Sequence, residues 1–180
     1  MVELRAGRWT HDHEGDLVVF LIGIRLNRLR AVRAWWPVAR AFPRMVQELV
    51  EDPASGFLGG TSWVSWRRTL MVQYWRDLDS LTGYAQDSDR LHQPAWKEFN
   101  RGVRTAAGAV GIWHETFAVR AGGHESLYVE MPETGIVAAT TPFSADQRGA
   151  LARDRMARRP APDPPAPDQS PSTRRVDPSR

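Results

Sequence analysis

Five histidines, eight tryptophans and no cysteine bound the chemistry open to this chain: aromatic walls and imidazoles are plentiful, and thiolate chemistry is absent. The densest grouping is residues 74–100, YWRDLDSLTGYAQDSDRLHQPAWKEFN, followed by residues 111–117, GIWHETF. Within it His92, Trp96 and Asn100 recur every four residues. If Pro94 opens a helix, His92 stands just before its N-terminus, where the helix field favours neutral imidazole, the form needed by a general base or a haem ligand. The same three residues also suit a cap, a core position and a solvated surface. His114 and Glu115 are neighbours in a strand-like run, so they point to opposite sheet faces and one of them faces a cavity. A polar group in an otherwise apolar strand costs free energy unless it is hydrogen-bonded, which makes each a candidate proton acceptor, or else a structurally satisfied residue.

Arg25 and Asn27, at the polar end of an apolar run, are placed to orient a substrate carbonyl or carboxylate, or to be solvated at a strand end. Trp75, Trp96 and Trp113 are candidate walls for an aromatic ligand, with Asn100 as a polar contact; Met71, Tyr74 and Trp75 fit a core equally well. The fragment His11-x-His13-Glu14 offers too few ligands for a metal site on what reads as a flexible, solvated N-terminus. His124-Glu125, after a Gly-Gly pair, reads as a turn. Gly56, Gly59 and Gly60 lack the strand-to-helix setting of a phosphate loop. No metal site is expected.

The net charge of +3 at neutral pH lies in the last 36 residues, where eight arginines face five aspartates. The other 144 residues carry 16 charges of each sign, which argues against a nucleic-acid surface. The longest apolar run is far short of the ~20 residues of a membrane span, and neither a signal-peptide pattern nor a disulfide is present. These features predict a soluble, cytosolic protein without nucleic-acid or membrane partners.

Residues 16–27, DLVVFLIGIRLN, form a strand with Val18, Phe20, Ile22, Ile24 and Leu26 on one face. Residues 31–51 carry helical spacing at Trp35, Val38, Phe42, Met45, Val46, Leu49 and Val50, interrupted by Pro37 and Pro43, which predicts a kinked or two-piece helix. Residues 57–66 and 69–75 read as a hairpin, 78–86 and 94–107 as helical pieces, and 111–119 as a last strand. The order β-α-β-β-α-β predicts an α+β, ferredoxin-like fold with an antiparallel sheet. Helices cover one face, and the other would expose some of Trp63, Trp66, Trp75 and Trp113, which calls for a homodimer with facing sheets. Residues 122–143 should add an extended segment packed on this body. The domain is set at 1–144, with 145–180 as an Arg/Pro-rich, mostly disordered tail: residues 160–180 hold seven of the thirteen prolines.

Five segments carry a resemblance: FLIGIRLN (20–27), GFLGGTSWVSWRRTLMVQYWRD (56–77), AWKEFN (95–100), VGIWHETF (110–117) and YVEMPETG (128–135). In order and spacing they resemble the fumagillin-pathway polyketide monooxygenase-like family, grouped with the antibiotic-biosynthesis-monooxygenase type of dimeric α/β barrel. That resemblance implies the same fold and points to relatives that include cofactor-free oxygenases, haem-degrading enzymes and haem-dependent dehydratases. Asn27, Trp75, Trp96, Asn100, His114 and Glu115 fall in the matched segments. The resulting expectation is a small homodimeric oxygenase of an aromatic or polyketide-type molecule, using O2 without flavin or nicotinamide. His114 or Glu115 would be the base, and Arg25, Asn27 and Asn100 would orient the substrate. A haem protein with His92 or His114 as axial ligand, and a non-catalytic small-molecule-binding module, are the alternatives.

Overall fold

The apolar alternation around residue 20 becomes the central strand of a four-stranded sheet. In the computed structural model, which describes residues 3–87 and 108–156, β1 spans Arg5–Asp12, β2 Leu17–Leu26 and α1 Val32–Glu51. After a short 3-10 turn, Pro53–Ser55, come β3 (Phe57–Ser65), β4 (Arg68–Trp75), α2 (Leu78–Gln86) and β5 (Val110–Val119). The chain continues through β6 (Tyr128–Met131), α3 (Gly135–Ala139), β7 (Thr141–Ser144), α4 (Ala145–Arg148) and α5 (Ala152–Met156). None of the helices among the described residues is long and apolar enough to cross a membrane.

The larger sheet runs β3-β4-β2-β5 and is antiparallel throughout, the strand order of the ferredoxin-like arrangement. Register assigns each side chain to a face. Val18 lies opposite Trp75 and Ala118, Phe20 opposite Gln73 and Thr116, and Ile22 opposite Met71 and His114. These residues share the helix side, where Val18, Met71 and Trp75 join Phe57, Leu49 of α1 and Leu81 of α2 in one core, with Phe42, Val46 and Tyr84 packed around it. Asp77 caps α2, accepting from the Ser80 backbone N–H at 2.6 Å. The Ser80 hydroxyl first, then that backbone bond and Arg76, hold its carboxyl down at about 2.

Of the kinked or two-piece helix expected, the two-piece form does not occur: α1 runs as one helix through Pro37 and Pro43. Each ring forfeits one helical hydrogen bond, but the stripe that seats Phe42, Val46 and Leu49 on the sheet holds the helix together. The N-terminus also departs from expectation. β1 is the middle strand of a second sheet, β6-β1-β7, whose partners lie more than 110 residues away in the chain. The sequence RAGRWTHD lacks a strong apolar alternation, so no local signal marks this strand. Beyond residue 144, Arg148 of α4 pairs with Asp12, and Arg155 of α5 pairs with Glu125.

The segment after β5 packs against the other face of the larger sheet at the β3–β4 edge. Gly135, at φ +62°, donates its N–H to the Thr61 hydroxyl at 2.8 Å, and a Cβ there would lie 2.6 Å from the Tyr128 hydroxyl. Only glycine fits both constraints.

Candidate functional site

The two faces of the larger sheet separate the candidates. His114 lies on the helix side, opposite Ile22 and with its ring 5.5 Å from that of Phe20. Glu115 lies on the other side, opposite Leu21 and in line with Trp113 and Phe117. The alternation predicted this separation. The tertiary structure adds that the imidazole faces the helices and the carboxylate faces away.

Across that second face the residues form rows. Ser65, Arg68, Arg25 and Gly111 make one, and Trp63, Leu70, Gly23 and Trp113 the next. Thr61, Val72, Leu21 and Glu115 follow. Trp113 lies over Gly23, where a Cβ would sit 2.3 Å from the indole nitrogen. The glycine is what lets the indole lie down on the strand. Trp63 and Trp113, with Arg25, Arg68 and Leu70, line an open groove of about 400 Å³.

Asn27 has a task of its own. Its amide donates to the Gly108 carbonyl at 2.9 Å and accepts from Arg25 at 3.0 Å, tying the end of β2 to the entry of β5. Arg67 adds to the same joint through the carbonyls of Leu26 and Asn27. Trp75, a candidate ligand wall, turns into the core. It is 0% exposed, packed edge-on against Phe57 with ring centroids 5.4 Å apart, and its indole N–H donates to Gln73 at 3.0 Å. Its position opposite Val18 turns it into the core, where the largest side chain fills the space between both helices and the sheet. His92, Trp96 and Asn100 lie outside the described residues.

The N-terminal histidines, read from sequence as solvated, prove otherwise for His11, which is 4% exposed. Its Nδ1 meets the Ser126 hydroxyl at 2.7 Å and its Nε2 meets His124 Nδ1 at 2.7 Å, while His124 Nε2 reaches the Gly15 carbonyl at 3.2 Å. A carbonyl only accepts, so with neutral rings the chain has one direction. His124 donates to Gly15, His11 donates to His124, and Ser126 donates to His11. Burial, then the neighbouring His124, Arg148 and His13, lowers His11 to about 4. The unfolded chain takes up this proton below about 6.5, so stability is full above that pH and falls as pH drops toward 4. Urea unfolding between pH 7 and 4 should show a loss on the order of 2 kcal/mol that His11→Gln reduces. An unchanged slope in the variant would assign the acid sensitivity to other groups.

The family model described as monooxygenase af470-like matches residues 17–136, which take in the larger sheet, α1, α2 and the start of α3. The chain belongs to the monooxygenase af470-like family. Monooxygenase af470 of Aspergillus fumigatus is 32% identical over 131 residues, which cover 67% of this chain and 46% of that protein, so the chain spans about half the relative's length. Among solved structures, SnoaB, a cofactor-independent oxygenase from Streptomyces nogalater, is 16% identical with a TM-score of 0.42, covering 58% of this chain and 94% of its own. A dimeric protein of unknown function with a ferredoxin-like fold, from Bacteroides fragilis, is 14% identical with a TM-score of 0.39, covering 56% and 96%.

Proposed function

We propose that this protein is a monooxygenase-type enzyme that oxidises an aromatic or polyketide-type small molecule with O2, without flavin or nicotinamide, and that His114 is its proton acceptor. Family membership supports the reaction class. The observation that carries the assignment to His114 is its place on the helix side of β5, against the Phe20 ring and beside the apolar residues of β2. There an apolar ring system can lie flat while the imidazole removes a proton from an activated C–H2. The resulting carbanion transfers electrons to O2; the carbon gains one oxygen as a carbonyl, and the other leaves as water. His114 is exposed on this face, so the bound ring system lying over Phe20 must itself shield the enolate from bulk solvent, which favours this electron transfer. Oxygen-uptake assays over a panel of phenolic polycyclic compounds test the reading. Uptake that appears only on adding haemin, with a saturable Soret band lost in His114→Ala, would replace it with the haem-dependent one. Saturable binding of the same compounds without turnover would make the protein a binding module.

The second face supports a symmetric homodimer. Trp63, Trp113 and Phe117 are 50%, 43% and 49% exposed on one sheet surface, which α3 and its flanking strands cover only at the β3–β4 edge. A second copy of the same face buries them at no cost in new chemistry. Trp113→Asp should shift the light-scattering mass from dimer to monomer, and a wild-type protein that is already monomeric at micromolar concentration would defeat the proposal.

A further inference from the structure

A second hollow lies at the far end of the helix side, where β2 begins and β4 and β5 end. It measures about 220 Å³ and is lined by Leu17, Val18, Leu78, Ala118 and Val119, with Asp16, Arg76, Asp77 and Arg120 around it. Ala118 lies directly opposite Val18 in the β2–β5 register and on the same face as Thr116 and His114. Its small side chain leaves the space. A dry apolar cavity of about 150 Å³ suffices for benzene, so this hollow has room for one substituted ring. Two ion pairs flank it: Arg120 with Asp16 at 3.0 Å, and Arg76 with Asp77 at 2.9 Å. Asp16 also accepts from the Ala121 backbone N–H at 2.8 Å, which holds the carboxylate at the rim, and the exposed Arg120 guanidinium meets it there. Asp16 engages one Arg120 nitrogen, Nη1, and a guanidinium has five N–H groups, so donors remain to face a ligand oxygen.

We infer that this hollow is a ring-sized subsite for an aryl group bearing an anionic oxygen, a carboxylate or phenolate, with Ala118 setting the size of ring admitted and Arg120 holding the oxygen. The inference rests on the proposed oxidation at His114 for its role in turnover, because both residues lie on one face of β5. Four residues of strand separate them by about 13 Å, so a planar multi-ring molecule can span both while a bicyclic one occupies the hollow alone. The subsite then fixes which carbon of a long substrate is presented to His114. Ala118 is therefore a specificity-determining position rather than a catalytic residue.

The probe is 2-naphthoate, with neutral 2-naphthylmethanol as its control, titrated by calorimetry against the full chain. Ala118→Leu fills the hollow and should weaken naphthoate binding by about tenfold or more. Arg120→Gln should weaken naphthoate by about threefold and leave the neutral alcohol unchanged. His114→Ala should bind both as the wild type does. That last result separates this inference from the proposed reaction: naphthoate binding that depends on Ala118 stands even if no compound is oxidised. Wild-type affinity for naphthoate in folded Ala118→Leu, or an equal loss of both probes in Arg120→Gln, would overturn it. Should Ala118→Leu fail to fold, the charge discrimination in Arg120→Gln decides alone.

Discussion

Oxidation of an accepted aromatic substrate by His114→Ala is expected to be slower than wild type by about 10²- to 10⁴-fold, the range lost when a positioned general base is removed. Pairing of β5 with β2 sets His114 opposite Ile22, on the side that carries Phe20 and the helices. On the proposed reading an imidazole there would meet a ring lying on the apolar side chains of β2, whereas a carboxylate one residue later is on the opposite face. Glu115→Gln should therefore leave the rate within about threefold of wild type, because a group on the far face contributes no proton transfer. Single-turnover rates under saturating O2 make the comparison. A large loss in Glu115→Gln with none in His114→Ala would move the reaction to the tryptophan face and refute the assignment.

Trp75→Ala should unfold the domain or leave it with stability reduced by about 3–5 kcal/mol, the usual cost of truncating a buried tryptophan. Trp75 is the largest fully buried side chain, and it touches Phe57 and Tyr84 and holds the side-chain amide of Gln73. Truncation leaves both a cavity and a buried amide oxygen without its donor. Trp75→Phe retains most of the volume and should lose less than half as much. Denaturant titration followed by far-UV circular dichroism measures both variants. A Trp75→Ala protein of near wild-type stability with impaired ligand binding would return Trp75 to the role of ligand wall that its aromatic character first suggested.

Local pattern was enough for the larger sheet. The alternation Val18, Phe20, Ile22, Ile24 made one face of β2 legible, the Arg67 turn region announced the β3–β4 hairpin, and GIWHETF separated His114 from Glu115 by strand geometry alone. These signals are short-range: each needs only the two-residue period of a strand or the chemistry of a tight turn. Membership of the family was legible for a related reason, since three of the five resembling segments, 20–27, 56–77 and 110–117, fall on these elements.

Other features depended on residues far apart in the chain. Whether a tryptophan is core or surface follows from which face its strand turns toward the helices, and that is fixed by pairing: Trp75 meets Val18 and is buried, while Trp113 meets Gly23 and is exposed. The proline-containing helix stays whole because of what it packs on, a contact invisible in its own sequence. His11 looked solvated because its partners, His124 and Ser126, are more than 110 residues away. Residue alternation, the order of the larger sheet's elements and the family are therefore readable from local pattern. Which side of each strand is buried, the existence of β1 and the position of the ring-sized hollow beside Ala118 depend on the assembled fold. Burial is a property of contacts between distant segments, and no local period encodes it.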